Sequence, residues 1–281
     1  MPGPVTADTS GPRPPSAGGA PGAASSTTIR TRGPRRGRDL GRTRRCPDHG
    51  RSTGSTSAGS PPSSTRGGCP SASTADGHKA GAQKIVEFLG WCRELDIEVV
   101  TLYILSTENL KRPAAELEPL LEIISDLMDT LSETGICRVQ PVGALEMLPP
   151  RLAACLADLT ERTADNAGPH LNIAVGYGGR QEIVDAVREV LTEALDAGAD
   201  VRELAQELSV EHISEHLYTR GQPDPDLLIR TSGEQRLSGF LMWQSAYSEY
   251  YFCEALWPDF RRVDFLRALR DYASRQRRFG G

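Results

Sequence analysis

The chain has 281 residues, 38% hydrophobic and 25% charged, with a formal net charge of −5, the composition of a water-soluble globular protein of one or two domains. No apolar run approaches the roughly 20 residues of a membrane-spanning helix, and the start lacks the basic-then-apolar pattern of a secretory signal. Six cysteines at 46, 69, 92, 137, 155 and 253 form no C-x-x-C pair, which argues against a zinc ribbon, a thioredoxin-type redox motif or a disulfide scaffold and for a reducing cytoplasm.

The averages conceal a break near residue 77. Residues 1–77 carry 11 Arg, 4 Asp and neither Lys nor Glu, with 14 of the 28 Gly and 11 of the 20 Pro, and every aromatic residue lies after them. Such a stretch has too little apolar surface to offset its chain entropy, so it is expected to be a disordered tail. Its basic run at 30–45 lacks interleaved aromatics for stacking bases, so no nucleic-acid partner is expected.

From residue 78 onward the pattern is that of an α/β domain. An apolar stripe at Ile85, Phe88, Leu89 and Cys92 predicts a helix over 78–95. Residues 97–105 (IEVVTLYIL) are nearly all apolar, as in a strand buried on both faces. A helix over 113–131, a strand over 137–142, a helix over 149–163 and a strand over 171–175 follow, the last running into Gly176-Tyr177-Gly178-Gly179. Then come a helix over 180–195, two short helices near 201–208 and 210–217, a strand over 226–230, a final strand over 247–252 and a basic amphipathic helix over 263–277. Alternating strands and helices imply a mostly parallel sheet flanked by helices, with functional groups at the carboxyl ends of its strands.

Polar residues gather at those ends. Strand 97–105 runs into Ser106-Thr107-Glu108-Asn109 and then Arg112, strand 226–230 into Arg230-Thr231-Ser232-Gly233-Glu234 with Arg236 and Ser238 beyond, and Glu249 sits by the last strand. Arginine forks suit phosphate, hydroxyls and loop N–H groups add donors, and one Glu could hold a divalent ion between phosphate oxygens. The pattern describes a diphosphate site in which Arg230, Arg236, Ser238 and Glu249 share one mouth. Neither a P-loop nor a G-x-G-x-x-G spacing is present. His212, Glu215 and His216 match H-x-x-E-H, but a pair of partly exposed helix histidines accounts for them better than zinc.

The segments LYILSTENLKRP, NIAVGYGGRQEIVDAV, DPDLLIRTSGEQRLSGFLMWQSAYSEYYF and WPDF resemble the cis-prenyltransferases, the undecaprenyl-diphosphate-synthase-like isoprenyl transferases, over 78–281. The resemblance implies a six-stranded parallel α/β domain, a homodimer, Mg²⁺, and condensation of isopentenyl diphosphate with an allylic diphosphate. It implies a cytoplasmic protein with peripheral membrane contact through its product. It makes Asn109 the proton acceptor, places His78, Ser106, Thr107, Glu108 and Arg112 against substrate, puts Arg230, Arg236, Leu237 and Ser238 around isopentenyl diphosphate, and gives Glu249 to the metal. Ile104 stands where the family usually has Ala and Leu110 where it usually has Trp. Leu110 and the LSTENL wording resemble the actinobacterial short-chain branch that makes (2Z,6E)-farnesyl diphosphate, and Ile104 is expected to be the floor of the chain tunnel or simply a core residue.

The family's amino-terminal signature, a first strand followed by Met-Asp-Gly-Asn-Gly-Arg-Trp with a metal-holding Asp, is absent from 1–77. The expectation is therefore a sheet lacking its first strand. Shifted by one base over 43–51 and by two over 52–61, the coding frame can read text resembling that signature, which marks 1–77 as a possible product of frameshifted translation. The chain as written is then expected to be impaired. A long-chain decaprenyl or undecaprenyl synthase and a non-catalytic partner subunit are the alternatives.

Overall fold

The computed structural model describes residues 26–31 and 74–275. Six strands form one sheet: β1 (Ser26–Thr31), β2 (Ile97–Ser106), β3 (Arg138–Val142), β4 (His170–Tyr177), β5 (Leu227–Arg230) and β6 (Glu249–Phe252), in the order β3-β4-β2-β1-β5-β6. The helices are α1 (Thr74–Glu94), α2 (Ala114–Thr134), α3 (Pro150–Thr163), α4 (Gly179–Asp196), α5 (Val201–Glu207), α6 (Val210–Ser214) and α7 (Arg262–Ser274). Three of the five strand pairings are parallel, as the α/β alternation requires, and β1 supplies both antiparallel ones.

The expectation that nothing before residue 78 packs, and that the first strand is missing, is corrected at β1. This strand lies in the middle of the sheet, paired with β2 on one side and β5 on the other. The reason lies in the backbone. Without a strand there, β2 and β5 would turn unpaired N–H and C=O groups toward each other in the interior, and buried backbone groups must be paired. Side chains contribute less. Ile29 is fully buried beside Leu227, Ile229 and Val100, whereas Ser26, Thr27 and Thr28 are buried polar residues. Both ends are fastened to β5: Arg230 Nη1 donates to Ser26 Oγ (3.0 Å) and Arg30 Nη1 to Asp226 Oδ1 (3.3 Å). Residues 1–25 and 32–73, including the stretches whose shifted frames carry the signature, lie outside the described residues, and 74–77 begin α1.

Two apolar layers cover the sheet. One face packs on α1, α2, α3 and α7 through Phe88, Leu89, Ile124, Met128, Leu156 and Phe265, with edge-to-face rings between Phe88 and both Trp257 and Phe265. The other carries Tyr103, Tyr177, Phe240 and Leu241. Such apolar burial contributes about 25 cal/mol per Å² and provides most of the driving force for folding.

Near the carboxyl end of β2 the register slips twice. Tyr103 pairs with Ala174, Leu105 with Val175, and Ser106 with Tyr177, so Ile104 is an extra residue on β2 and Gly176 an extra one on β4. A bulge bends the strand and re-aims its side chains. Here it turns both Ile104 and Leu105 into the α1–α3 layer while Tyr103 faces the other way. Gly176 accepts its place at φ 63°, where a Cβ would lie 3.1 Å from Leu148 Cδ2 and 3.3 Å from the Ala144 carbonyl oxygen.

The Thr27 hydroxyl shares the face of Ile29 and finds no hydrogen-bond partner among the described residues. A buried unsatisfied hydroxyl costs about 1–3 kcal/mol. Thr27→Val should therefore stabilise the fold by about 1 kcal/mol, read as a higher urea midpoint with an unchanged m-value. A lower midpoint would show that the hydroxyl is satisfied in solution.

Candidate active site

The carboxyl ends of β2 and β5 stand on either side of the amino end of β1. At the end of β2, Ser106 Oγ accepts the Asn109 N–H (3.1 Å) where the 3-10 turn Asn109–Lys111 begins. The Thr107 N–H donates to the Tyr177 carbonyl (3.0 Å), and a Cβ on Gly178 would come within 2.7 Å of Thr107 Oγ1. Glu108 is exposed, Asn109 and Arg112 are half-buried, and Arg112 lies 4.0 Å from Glu116.

At the end of β5, Arg230 is 3% exposed. Its guanidinium donates to Ser26 Oγ and to Glu234, and Arg236 Nη2 donates to the other oxygen of Glu234 (2.6 Å). Tyr103 joins the two ends. Its ring stacks on Phe240 at 4.8 Å and its hydroxyl donates to the Tyr177 carbonyl (3.4 Å). Burial, then the charge of Glu108, push its pKa up to about 12, while Ser106 and Arg230 pull the other way. The register puts Arg230 beside Ser26 and Leu102 beside Thr27, so the carboxyl ends of β2 and β5 lie at one edge of the sheet with β1 between them.

Beneath the mouth lies a buried polar cluster. Glu182, 1% exposed, accepts from the Tyr177 hydroxyl, the Tyr218 N–H (3.1 Å) and Gln244 Nε2 (2.9 Å). Burial raises its pKa despite those donors. The cluster ties the start of α4 to the loop 231–248. A second tie is backbone to backbone: the Gly179 N–H donates to the Gly239 carbonyl (3.1 Å), and a Cβ on Gly179 would sit 2.2 Å from that oxygen. This contact holds the left-handed pair Ser238 (φ 51°) and Gly239 (φ 79°), with Leu237 packed against the Phe240 layer. The glycine loop 176–179 therefore serves close packing, with its Gly179 N–H already spent on protein.

Glu249 does not join this mouth, contrary to expectation. It opens β6 opposite Leu227, three residues below the Arg230–Phe252 pair, about 10 Å along the strand. Its Oε2 accepts from Arg275 Nη1 (2.7 Å). Among the described residues no three His, Cys, Asp or Glu side chains gather to hold a metal. One carboxylate already paired with an arginine does not make a Mg²⁺ site, so the residues present do not fit the ion that the resemblance implies. His78 lies in the first turns of α1. The far end of α1 leads directly into β2, so His78 is on the mouth side of the molecule. His212 and His216 are used structurally: His212 Nδ1 accepts the Ser209 N–H (3.1 Å) in a capping box, and His216 Nε2 meets Glu193 Oε2 (3.0 Å). Ile104 is 6% exposed within the α1–α3 layer.

Sequence reasoning missed Tyr103, Glu234 and Ser26. The spacing of Glu234 four residues from Arg230 and two from Arg236 was the available signal for one of them. Gly179→Ala should cost about 1–3 kcal/mol, the usual penalty of overpacking, and loosen the Ser238 turn. Chemical denaturation reads the first, and unchanged stability would show that the loop shifts freely.

A family described as putative undecaprenyl diphosphate synthase matches residues 70–280. The chain is 58% identical over 206 residues to isoprenyl transferase 1 of Streptomyces avermitilis, covering 73% of this chain and 80% of that one. It is 58% identical over 205 residues to a (2Z,6E)-farnesyl diphosphate synthase of Thermobifida fusca, with 73% and 80% coverage. Among solved structures, lavandulyl diphosphate synthase from Lavandula x intermedia in complex with dimethylallyl diphosphate superposes with TM-score 0.69 at 31% identity, over 74% of this chain and 90% of that one. A probable undecaprenyl diphosphate synthase from Campylobacter jejuni gives TM-score 0.62 at 28% identity, with 72% and 92% coverage.

Proposed function

Because the chain belongs to the putative undecaprenyl diphosphate synthase family, the cis-prenyltransferases, we propose that it condenses isopentenyl diphosphate with an allylic diphosphate to a short-chain cis-prenyl diphosphate. In that reaction the C1–O bond of the allylic partner breaks and its electron pair leaves with inorganic diphosphate. C4 of isopentenyl diphosphate bonds to C1, and C2 loses a proton. The chemistry asks the protein to hold two diphosphates, to compensate the charge that develops on the departing one, and to receive a proton, with no protein nucleophile.

One observation supports the reading: Arg230, Glu234 and Arg236 are joined at the carboxyl end of β5, and Ser106 to Asn109 lie at the end of β2 at the same edge of the sheet, with only β1 between them. In this reading Arg230, Arg236 and Ser238, with Leu237 beside them, hold isopentenyl diphosphate. His78, Ser106, Thr107, Glu108 and Arg112 face substrate, and Asn109 takes the proton. Among the described residues the one carboxylate assigned to magnesium, Glu249, pairs with Arg275 away from the mouth, so no step is routed through the ion. The parallel sheet that the resemblance implies is not met at β1, which runs antiparallel to both neighbours and brings Ser26 rather than a metal-holding Asp beside Arg230. Turnover by the chain as written is therefore expected to be low.

The names of the relatives in Thermobifida fusca and Mycolicibacterium smegmatis, both (2Z,6E)-farnesyl diphosphate synthases at 58% and 56% identity, support a C15 product. Ile104 supports it too. The bulge sends this branched side chain into the α1–α3 layer, and a growing prenyl chain cannot pass a filled point in a close-packed wall. A homodimer fits the outer edge of β6, which has no further strand beside it among the described residues and where Tyr250 stacks on Phe252 and Tyr247 is 84% exposed. Among the described residues no helix is long and apolar enough to cross a membrane. Membrane contact would then come through the product alone.

Two measurements test the reading. Arg236→Ala should weaken isopentenyl diphosphate binding by at least severalfold, since a charge-assisted bond contributes about 1.5–3 kcal/mol and exposure reduces it. Unchanged binding would remove Arg236 from the site. Incorporation of labelled isopentenyl diphosphate should be slow with this chain. It should recover when residues 1–73 are replaced by the corresponding segment of the Streptomyces avermitilis relative. The recovered product should be C15 and should lengthen in Ile104→Ala. A long-chain product before mutation, or no lengthening after it, would overturn Ile104 as the floor.

A further inference from the structure

The two arginines assigned to the substrate's diphosphate already hold an anion. Glu234 gives one carboxylate oxygen to Arg230 and the other to Arg236. Its backbone is fixed. Ser232 and Gly233 turn in the left-handed region at φ 76° and 70°, and their N–H groups donate to the Ala255 and Cys253 carbonyls at 2.8 and 2.9 Å. That turn folds the chain back so that the side chain four residues after Arg230 meets it. Exposure then grades outward, with the Arg230 side chain 4% accessible, Glu234 35% and Arg236 67%. The buried arginine is fixed, and the carboxylate in front of it is the group that solvent can reach.

We propose that Glu234 is a built-in competitor for the diphosphate of the substrate: its carboxylate stands between Arg230 and Arg236 where a phosphate would bind, and substrate enters by displacing it. The inference rests on the assignment of those arginines under the proposed function. Its physical logic is charge balance. A buried guanidinium without a counter-anion is costly, so an empty site needs an internal one. One carboxylate brings a single charge and two acceptors. A diphosphate brings two or three charges and more acceptors, so it wins the exchange, whereas a singly charged ligand gains little. Glu234 would thus keep both guanidiniums in place between turnovers and set a threshold of ligand charge for entry. After the exchange the displaced side chain has an open path to water.

The test is calorimetric titration of the full chain with inorganic diphosphate. Glu234→Gln keeps the shape and removes the charge, and should bind about tenfold more tightly than the unmutated chain. Glu234→Asp is one methylene shorter and cannot span both arginines, so it should bind severalfold more tightly even if the Gln variant folds poorly. Adding Arg236→Ala to Glu234→Gln should abolish the gain. Equal or weaker diphosphate binding by the Glu234 variants, with measurable binding by the unmutated chain, overturns the competitor and leaves the arginine site standing. A gain that survives Arg236→Ala also overturns it. No binding by any of the proteins overturns the arginine assignment and the competitor together.

Discussion

The pairing requirement of two strand edges governs this molecule. β2 and β5 belong to the two halves of the sheet, and their facing edges can be satisfied only by a strand between them. β1 meets that requirement with one large apolar residue out of six, running antiparallel to both neighbours. The mouth sits where it does because the two halves meet there, at the point where strand order reverses, the usual crevice of open α/β sheets. Arg230 links the two functions. It fastens Ser26 of β1 and also holds Glu234 at the mouth, so the closure of the sheet and the electrostatics of the site share one guanidinium.

Most of the fold was legible because the chain after residue 78 is locally consistent. The predicted helix over 149–163 and strand over 226–230 differ from Pro150–Thr163 and Leu227–Arg230 by one residue at one end. Continuous apolar text identified β2 as a strand covered on both faces, which Leu102 at 0% exposure on one face and Tyr103 at 8% on the other bear out. β1 was illegible for the complementary reason. STTIRT has no apolar alternation, and its place is decided by the edges of β2 and β5, which no local window contains. The stop of α2 was likewise set late, by Gly135 in the left-handed region at φ 58° rather than by the last apolar residue.

The site was legible in part. Arginines and hydroxyls at strand ends could be placed at one edge from the α/β pattern, and Ser106 and Arg230 end β2 and β5 on either side of β1. Glu249 could not, because its position depends on how far the loop 231–248 carries the chain back before β6 begins, and it returns to the level of Leu227. The glycines of 176–179 match no phosphate-binding spacing, and their contacts are with Thr107, Leu148 and Gly239. Tyr103 looked like core and is core. Only its hydroxyl, invisible to hydrophobic patterning, connects it to the mouth.

The paired slips of β2 and β4 have a consequence for how this scaffold can change length. The extra residue Ile104 on one strand is cancelled by Gly176 on its neighbour, so Ser106 and Tyr177 finish in step, like two dislocations of opposite sign in a lattice. An insertion or deletion in either strand alone would leave the two ends out of step by one residue and rotate every later side chain to the other face. Length variation in this part of the sheet is therefore tolerable only in compensating pairs, and homologous sequences aligned without regard to that would assign residues near 104 and 176 to the wrong side.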